Sequence, residues 1–159
     1  MRPRSTIAAL TLVALAATPV LAQRAYPYFG SVSAGKARMR VGPGREYPSS
    51  WMYQRADLPV KVLAMHKGWK KIEDPDGTQG WMQANLLSDS RTALVTAGEP
   101  VALRDSPRAA GRVLWRAAPG VVGRISKCAA GWCNFDVRGR AGFVEVTRLW
   151  GVTADETVN

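Results

Sequence analysis

From residue 60 the chain alternates apolar and polar positions through Val60-Lys61-Val62, breaks at His66-Lys67-Gly68, and resumes in Trp69-Lys70-Lys71-Ile72. A period of two over such short runs marks a half-buried strand, and two runs about a glycine-containing break predict a β-hairpin. Asp74-Pro75-Asp76-Gly77 follows. Its Asp-Gly dipeptide supplies the positive φ of a tight turn, so Gly80-Trp81-Met82 is expected to return as a third strand. Residues 123–128 and 132–137 repeat the pattern around Ala129-Ala130-Gly131, and Arg138-Gly139 leads into residues 141–146. Prolines at 43, 48, 59, 75, 100, 107 and 119 exclude a long helix, leaving at most a single turn such as residues 83–86.

The two stretches are copies of one unit. Arg40-Val41-Gly42-Pro43 answers Arg104-Asp105-Ser106-Pro107, and Val60-Lys61-Val62 answers Gly123-Arg124-Ile125. Gly68-Trp69 answers Gly131-Trp132, Gly80-Trp81-Met82 answers Gly142-Phe143-Val144, and Leu87 answers Leu149. A repeat in this order, with strands at short and regular spacing, predicts an all-β chain of two tandem small barrels or sandwiches. Barrels this small have little core, so the large apolar residues carry it. Trp69, Ile72, Trp81 and Leu87 are the candidates in the first copy, and Ile125, Trp132, Phe135, Phe143 and Leu149 in the second. Trp69→Ala is then expected to unfold its module.

The N-terminus adds a compartment. Arg2 and Arg4 precede an apolar run from Ile7 to Leu21, and Val20-Leu21-Ala22 sets small residues where signal peptidase cuts. About 15 apolar residues is short of the ~20 a spanning helix needs, so a cleaved signal peptide over 1–22 is expected, with a membrane anchor as the alternative. The remaining boundaries read as an N-terminal linker 23–33, module 1 over 34–88, a linker 89–95, module 2 over 96–152 and a tail 153–159.

Export places Cys128 and Cys133, the only cysteines, in an oxidising periplasmic or secreted setting. Flanking the predicted hairpin turn, their Cβ atoms could face each other across adjacent strands, so a disulfide is expected; half of a zinc site is the alternative, with His66 as the one histidine. The formal net charge of +10 falls to +8 when Arg2 and Arg4 leave with the leader. That charge favours anionic partners such as cell-wall carboxylates, acidic glycans or lipids, or nucleic acid, and equally serves solubility.

The run Arg40-x-Gly42-Pro43-Gly44-x-x-Tyr47-Pro48-x-x-Trp51-x-Tyr53, then Leu58-Pro59-Val60-x-Val62 and Asp74-x-Asp76-Gly77-x-x-Gly80-Trp81, resembles a bacterial SH3-like domain. With Leu86-Leu87-Ser88, residues 91–95, Gly131-Trp132-Cys133 and Leu149-Trp150-Gly151-Val152, it is similar to the two-module exported version common in alphaproteobacteria. The resemblance implies compact, partly open SH3-like β-barrels and a non-catalytic binding role without a cofactor. Its family-level partners are cell-wall peptides, so peptidoglycan or an envelope protein is the expected ligand. Arg104-Asp105-Ser106-Pro107 departs from the Gly-Pro-Gly signature of the first copy, which sets the second module's ligand mode apart.

Candidate binding residues are Arg40, Tyr47, Trp51, Tyr53 and Arg55. Aromatics bury area at low entropic cost, and arginine pairs bidentately with carboxylates. The competing role for the aromatics is the core, and for Arg40 and Arg104 a bond to turn carbonyls or to Glu73 or Asp74. Catalysis would need a nucleophile with a base, paired carboxylates or a metal. A lone loop histidine, two bridged cysteines, and aspartates explained by turn chemistry do not supply it. Export also argues against nucleic acid, although small basic barrels do bind single strands. An accessory of an envelope hydrolase that never touches the wall is the other reading.

Overall fold

In the computed structural model, residues 25–158 are described. The predicted signal peptide lies outside them. The chain forms fourteen strands: β1 (Tyr28–Val32), β2 (Ala37–Arg40), β3 (Ser49–Tyr53), β4 (Pro59–His66), β5 (Trp69–Glu73), β6 (Gln79–Gln83), β7 (Leu87–Ser88), β8 (Thr92–Val95), β9 (Val101–Arg104), β10 (Val113–Ala117), β11 (Val122–Ala129), β12 (Trp132–Val137), β13 (Arg140–Glu145) and β14 (Leu149–Trp150). They make two seven-stranded antiparallel sheets with one topology, β3-β2-β6-β5-β4-β1-β7 and β10-β9-β13-β12-β11-β8-β14. One 3-10 turn precedes the last strand of each, Ala84–Leu86 and Val146–Arg148.

The hairpins form where glycine meets a residue in the left-handed region: Lys67-Gly68, Ala130-Gly131 and Arg138-Gly139 all have positive φ, as two-residue hairpin turns require. Asp74 builds the remaining one. Its Oδ1 accepts the Asp76 and Thr78 amides at 3.1 and 2.8 Å.

Both linkers contain structure. Residues 23–33 contain β1, which pairs with β4 and β7, and residues 89–95 contain β8, which pairs with β11 and β14. Gly30 and Ser31 make β1 look like connector sequence. The glycine is instead needed where β7 closes on β1, because a Cβ there would lie 2.7 Å from the Ser88 carbonyl oxygen. The last residues also dock, through a bridge between Val158 and Cys128.

The core candidates divide by face. Ile72, Ile125, Phe135 and Leu149 are buried, whereas Trp69, Trp81, Leu87, Trp132 and Phe143 are only partly buried. Strand geometry explains this, since side chains alternate and Trp69 stands three positions from Ile72, on the opposite side of β5. Met39, Val60, Val62 and Met82 fill module 1 instead, with Met39 seated against Gly80.

Each module closes its core differently. Tyr53 and Ile72 in module 1 stand where module 2 has Ala117 and Phe135, so a large-small pair becomes small-large. Module 2 also has the expected disulfide between Cys128 and Cys133, with both residues buried.

The modules pack together. Phe29 of β1 meets Trp150 of β14 edge-on with ring centroids 5.3 Å apart. Arg91, in the connector, lies over the Phe29 ring, donates to the Gly151 carbonyl at 2.8 Å and pairs with Glu156. Its side chain is 14% exposed.

Candidate functional site

The five predicted binding residues do not form one cluster. Tyr53 points inward and is 6% exposed; its hydroxyl donates to Asp74 Oδ2 at 2.8 Å. Burial first, then that hydrogen bond and the negative charge of Asp74, raise its pKa well above the usual phenol range. Arg55 lies past the end of β3 and donates to the Gly120 carbonyl of module 2 at 3.3 Å. Arg40 holds its own loop, with Nη1 donating to the Tyr47 carbonyl at 2.6 Å, and Arg104 does the same to Gly111 at 2.7 Å. Both arginines therefore reach the carbonyl seven residues on, which is the turn-stabilising role rather than a pairing with Asp74 or Glu73.

Tyr47 and Trp51 remain exposed. The Tyr47 ring lies over Gly42, where a Cβ would come within 2.3 Å of it. Trp51 is 59% exposed and stands on β3, an edge strand paired only with β2. Its cross-strand partner is the buried Met39, so the indole hangs from the core-facing side of the strand but beyond the buried residues, at the lip of the barrel. A bulge between Met39 and Arg40 bends the ladder there, and bulges of this kind re-aim side chains.

The sequence reading missed the second copy of this arrangement. On β10, also an edge strand, Trp115 is paired with buried Leu103 beside a bulge between Val113 and Trp115, and is 45% exposed. Arg140 sits over its ring at 5.2 Å. The signal was present, because Trp51 and Trp115 stand eleven residues beyond Arg40 and Arg104. The segments between the arginines and the tryptophans share little other sequence, 41–50 against 105–114. Neighbouring positions in the chain are also exposed and apolar, Val41 and Met52 in module 1 and Val113 and Leu114 in module 2.

An exposed indole gives a flat apolar face, nearby guanidinium groups give oxyanion contacts, and an unpaired strand edge gives backbone donors and acceptors. Each of these is a non-covalent contact group. Among the described residues no group of His, Cys, Asp or Glu is arranged to hold a metal, and no helix is long and apolar enough to cross a membrane.

No curated protein sequence matches the chain. Among solved structures, NlpC2 from Trichomonas vaginalis is 12% identical with a TM-score of 0.35, over 80% of this chain and 49% of that one. NlpC1 from the same organism is 13% identical with a TM-score of 0.34, over 87% of this chain and 50% of that one. The chain thus spans about half the length of either. The bacterial SH3 domain family matches twice in tandem, over residues 33–89 and 97–151, one match within each seven-stranded sheet. With the repeat, the shared topology and both matches in register, the chain belongs to the bacterial SH3 domain family as a tandem pair of domains.

Proposed function

We propose that this is a non-catalytic binding or scaffolding protein of the bacterial envelope, acting outside the cytoplasm, whose two barrel lips recognise peptidoglycan or an envelope protein. The observation that supports it most is the repetition of one exposed tryptophan, on one edge strand, beside one bulge, in both modules. A large apolar ring left in water twice at equivalent positions contributes little to folding and suits a contact surface. The disulfide fits an oxidising compartment, and the basic charge suits carboxylate-bearing material.

The test is sedimentation of the protein with purified peptidoglycan at low salt. The wild type is expected in the pellet and the W51A/W115A double variant in the supernatant. A wild type that stays in the supernatant rules out direct wall binding. Capture from envelope extracts that depends on both tryptophans would then identify a protein partner.

A further inference from the structure

We propose that the groove between the two modules is a binding site for a ligand carrying at least two oxyanions, carboxylate or phosphate, gripped by the guanidinium groups of Arg55, Arg124 and Arg138. The groove is open to solvent along one side, holds about 820 Å³ and is lined by the loop after β3, the loop before β11, the start of β11, the end of β12 and the β12–β13 turn. That volume is typical of small-ligand sites. It exists only because the modules dock, with Arg55 bonded to Gly120 across the junction. None of its residues lies on β3 or β10, so the site is separate from the tryptophan lips.

Comparing the two copies shows why the arginines are available. In module 1, Lys61 and Glu73 face each other across β4 and β5 and form an ion pair at 3.6 Å. Arg124 and Asp136 hold the same register across β11 and β12. Yet Asp136 Oδ1 accepts the Gly139 amide at 2.7 Å, and Arg124 has no ion pair among the described residues. Arg138 is likewise unpaired and occupies a left-handed position, φ 54°, that asparagine, aspartate or glycine would fill with less strain. It is exposed and lines the groove.

Three forked guanidinium groups can each take an oxyanion bidentately. Asp57 and Asp136 also line the groove and leave only a small positive excess, so the grip depends on fork geometry more than on bulk charge. Val122 and Pro119 provide an apolar floor for the body of the ligand.

The test titrates the full chain with citrate and, separately, with pyrophosphate, followed by amide NMR. Saturable shifts are expected at Gly120, Gly123 and Gly139. R124Q/R138Q should weaken binding by about tenfold or more, and R38Q/R45Q, an equal loss of charge on the module 1 surface, by less than about twofold. Tighter citrate binding assigns a carboxylate ligand, and tighter pyrophosphate binding a phosphorylated one. Shifts that never saturate, or an equal loss in both double variants, would overturn the proposal. The arginines concerned are exposed, and R138Q alone provides the same comparison should the double variant unfold. Citrate binding by W51A/W115A should match the wild type, which separates this site from wall binding.

Discussion

The Tyr53 hydroxyl donates to Asp74 Oδ2 at 2.8 Å, joining the inward end of edge strand β3 to the turn that begins the β5–β6 hairpin. The other carboxylate oxygen accepts two backbone amides. In module 2 the corresponding positions are Ala117 and Val137, so this polar tie belongs to module 1 alone. Tyr53→Phe removes the donor from a buried acceptor and is expected to cost about 1–2 kcal/mol. Asp74→Ala also frees the two amides and should cost about 3 kcal/mol. Urea denaturation followed by tryptophan fluorescence measures both, and a smaller loss for Asp74→Ala than for Tyr53→Phe would show that the turn holds without its aspartate.

The same pair sets an alkaline limit. Burial, helped by the neighbouring carboxylate, raises the folded-state pKa of Tyr53, so the native state favours the neutral phenol. The stabilisation is therefore complete below the unfolded tyrosine pKa of about 10 and declines as pH rises above it. Module 1 is expected to lose stability from about pH 10 upward, more steeply than Tyr53→Phe, which has no phenol to ionise at that position. Equal alkaline slopes in the two proteins would remove Tyr53 as the cause.

Module 2 has a disulfide, across its β11–β12 hairpin, that module 1 does not. Cys128 and Cys133 close a loop of only a few residues, and Cys128 also anchors Val158 through its backbone. Reduction is expected to lower module 2 stability by no more than about 2–4 kcal/mol, because a short loop removes little unfolded-state entropy. Intact mass with and without reductant establishes the bond. Thermal unfolding of the reduced protein should then show a lower midpoint than the oxidised protein.

Arg91 couples the modules. Its contacts reach β1 of module 1 through Phe29 and module 2 through Gly151 and Glu156. Arg91→Ala removes the charge partner of Glu156, which keeps the Thr153 amide, and the donor to the Gly151 carbonyl, and a loss of about 1–2 kcal/mol is expected. The sharper expectation concerns cooperativity, with one calorimetric transition in the wild type separating into two. A single transition retained in Arg91→Ala would mean that the Phe29–Trp150 contact suffices.

The sequence made the repeat, the hairpins, the disulfide and the barrel class legible because each rests on local chemistry: alternation, Asp-Gly turns, and cysteines flanking a break. Strands β1 and β8 were hidden, since their membership depends on pairing with β4 and β11 far along the chain. The three-residue spacing of Trp69 and Ile72 places them on opposite faces of β5, so the larger side chain is not the core one. Trp69→Ala is thus expected to weaken module 1 without unfolding it, whereas Phe135→Ala should cost about 3–5 kcal/mol. For the site, aromatics at 47, 51 and 53 look alike in sequence. Both stand on one face of β3, and only position along the strand separates them: Tyr53 lies opposite buried Ala37, and Trp51 lies beside the bulge at Met39 and Arg40.

Trp51 and Trp115 allow folding and recognition to be tested apart. Trp51 is 59% exposed and Trp115 45%, so Trp51→Ala should shift stability by less than about 0.5 kcal/mol and Trp115→Ala by about 1 kcal/mol. Their fluorescence should be the most readily quenched by acrylamide, and quenching should fall in W51A/W115A relative to Trp132→Ala. Trp115 also lies beneath Arg140, so Arg140→Ala should leave that indole more open to quencher while the module stays folded. If both tryptophans serve one extended ligand, the single variants should each lose part of the affinity and the double variant far more than their average, as linked binding modules require. Equal affinity in one single variant and the wild type would confine recognition to the other module.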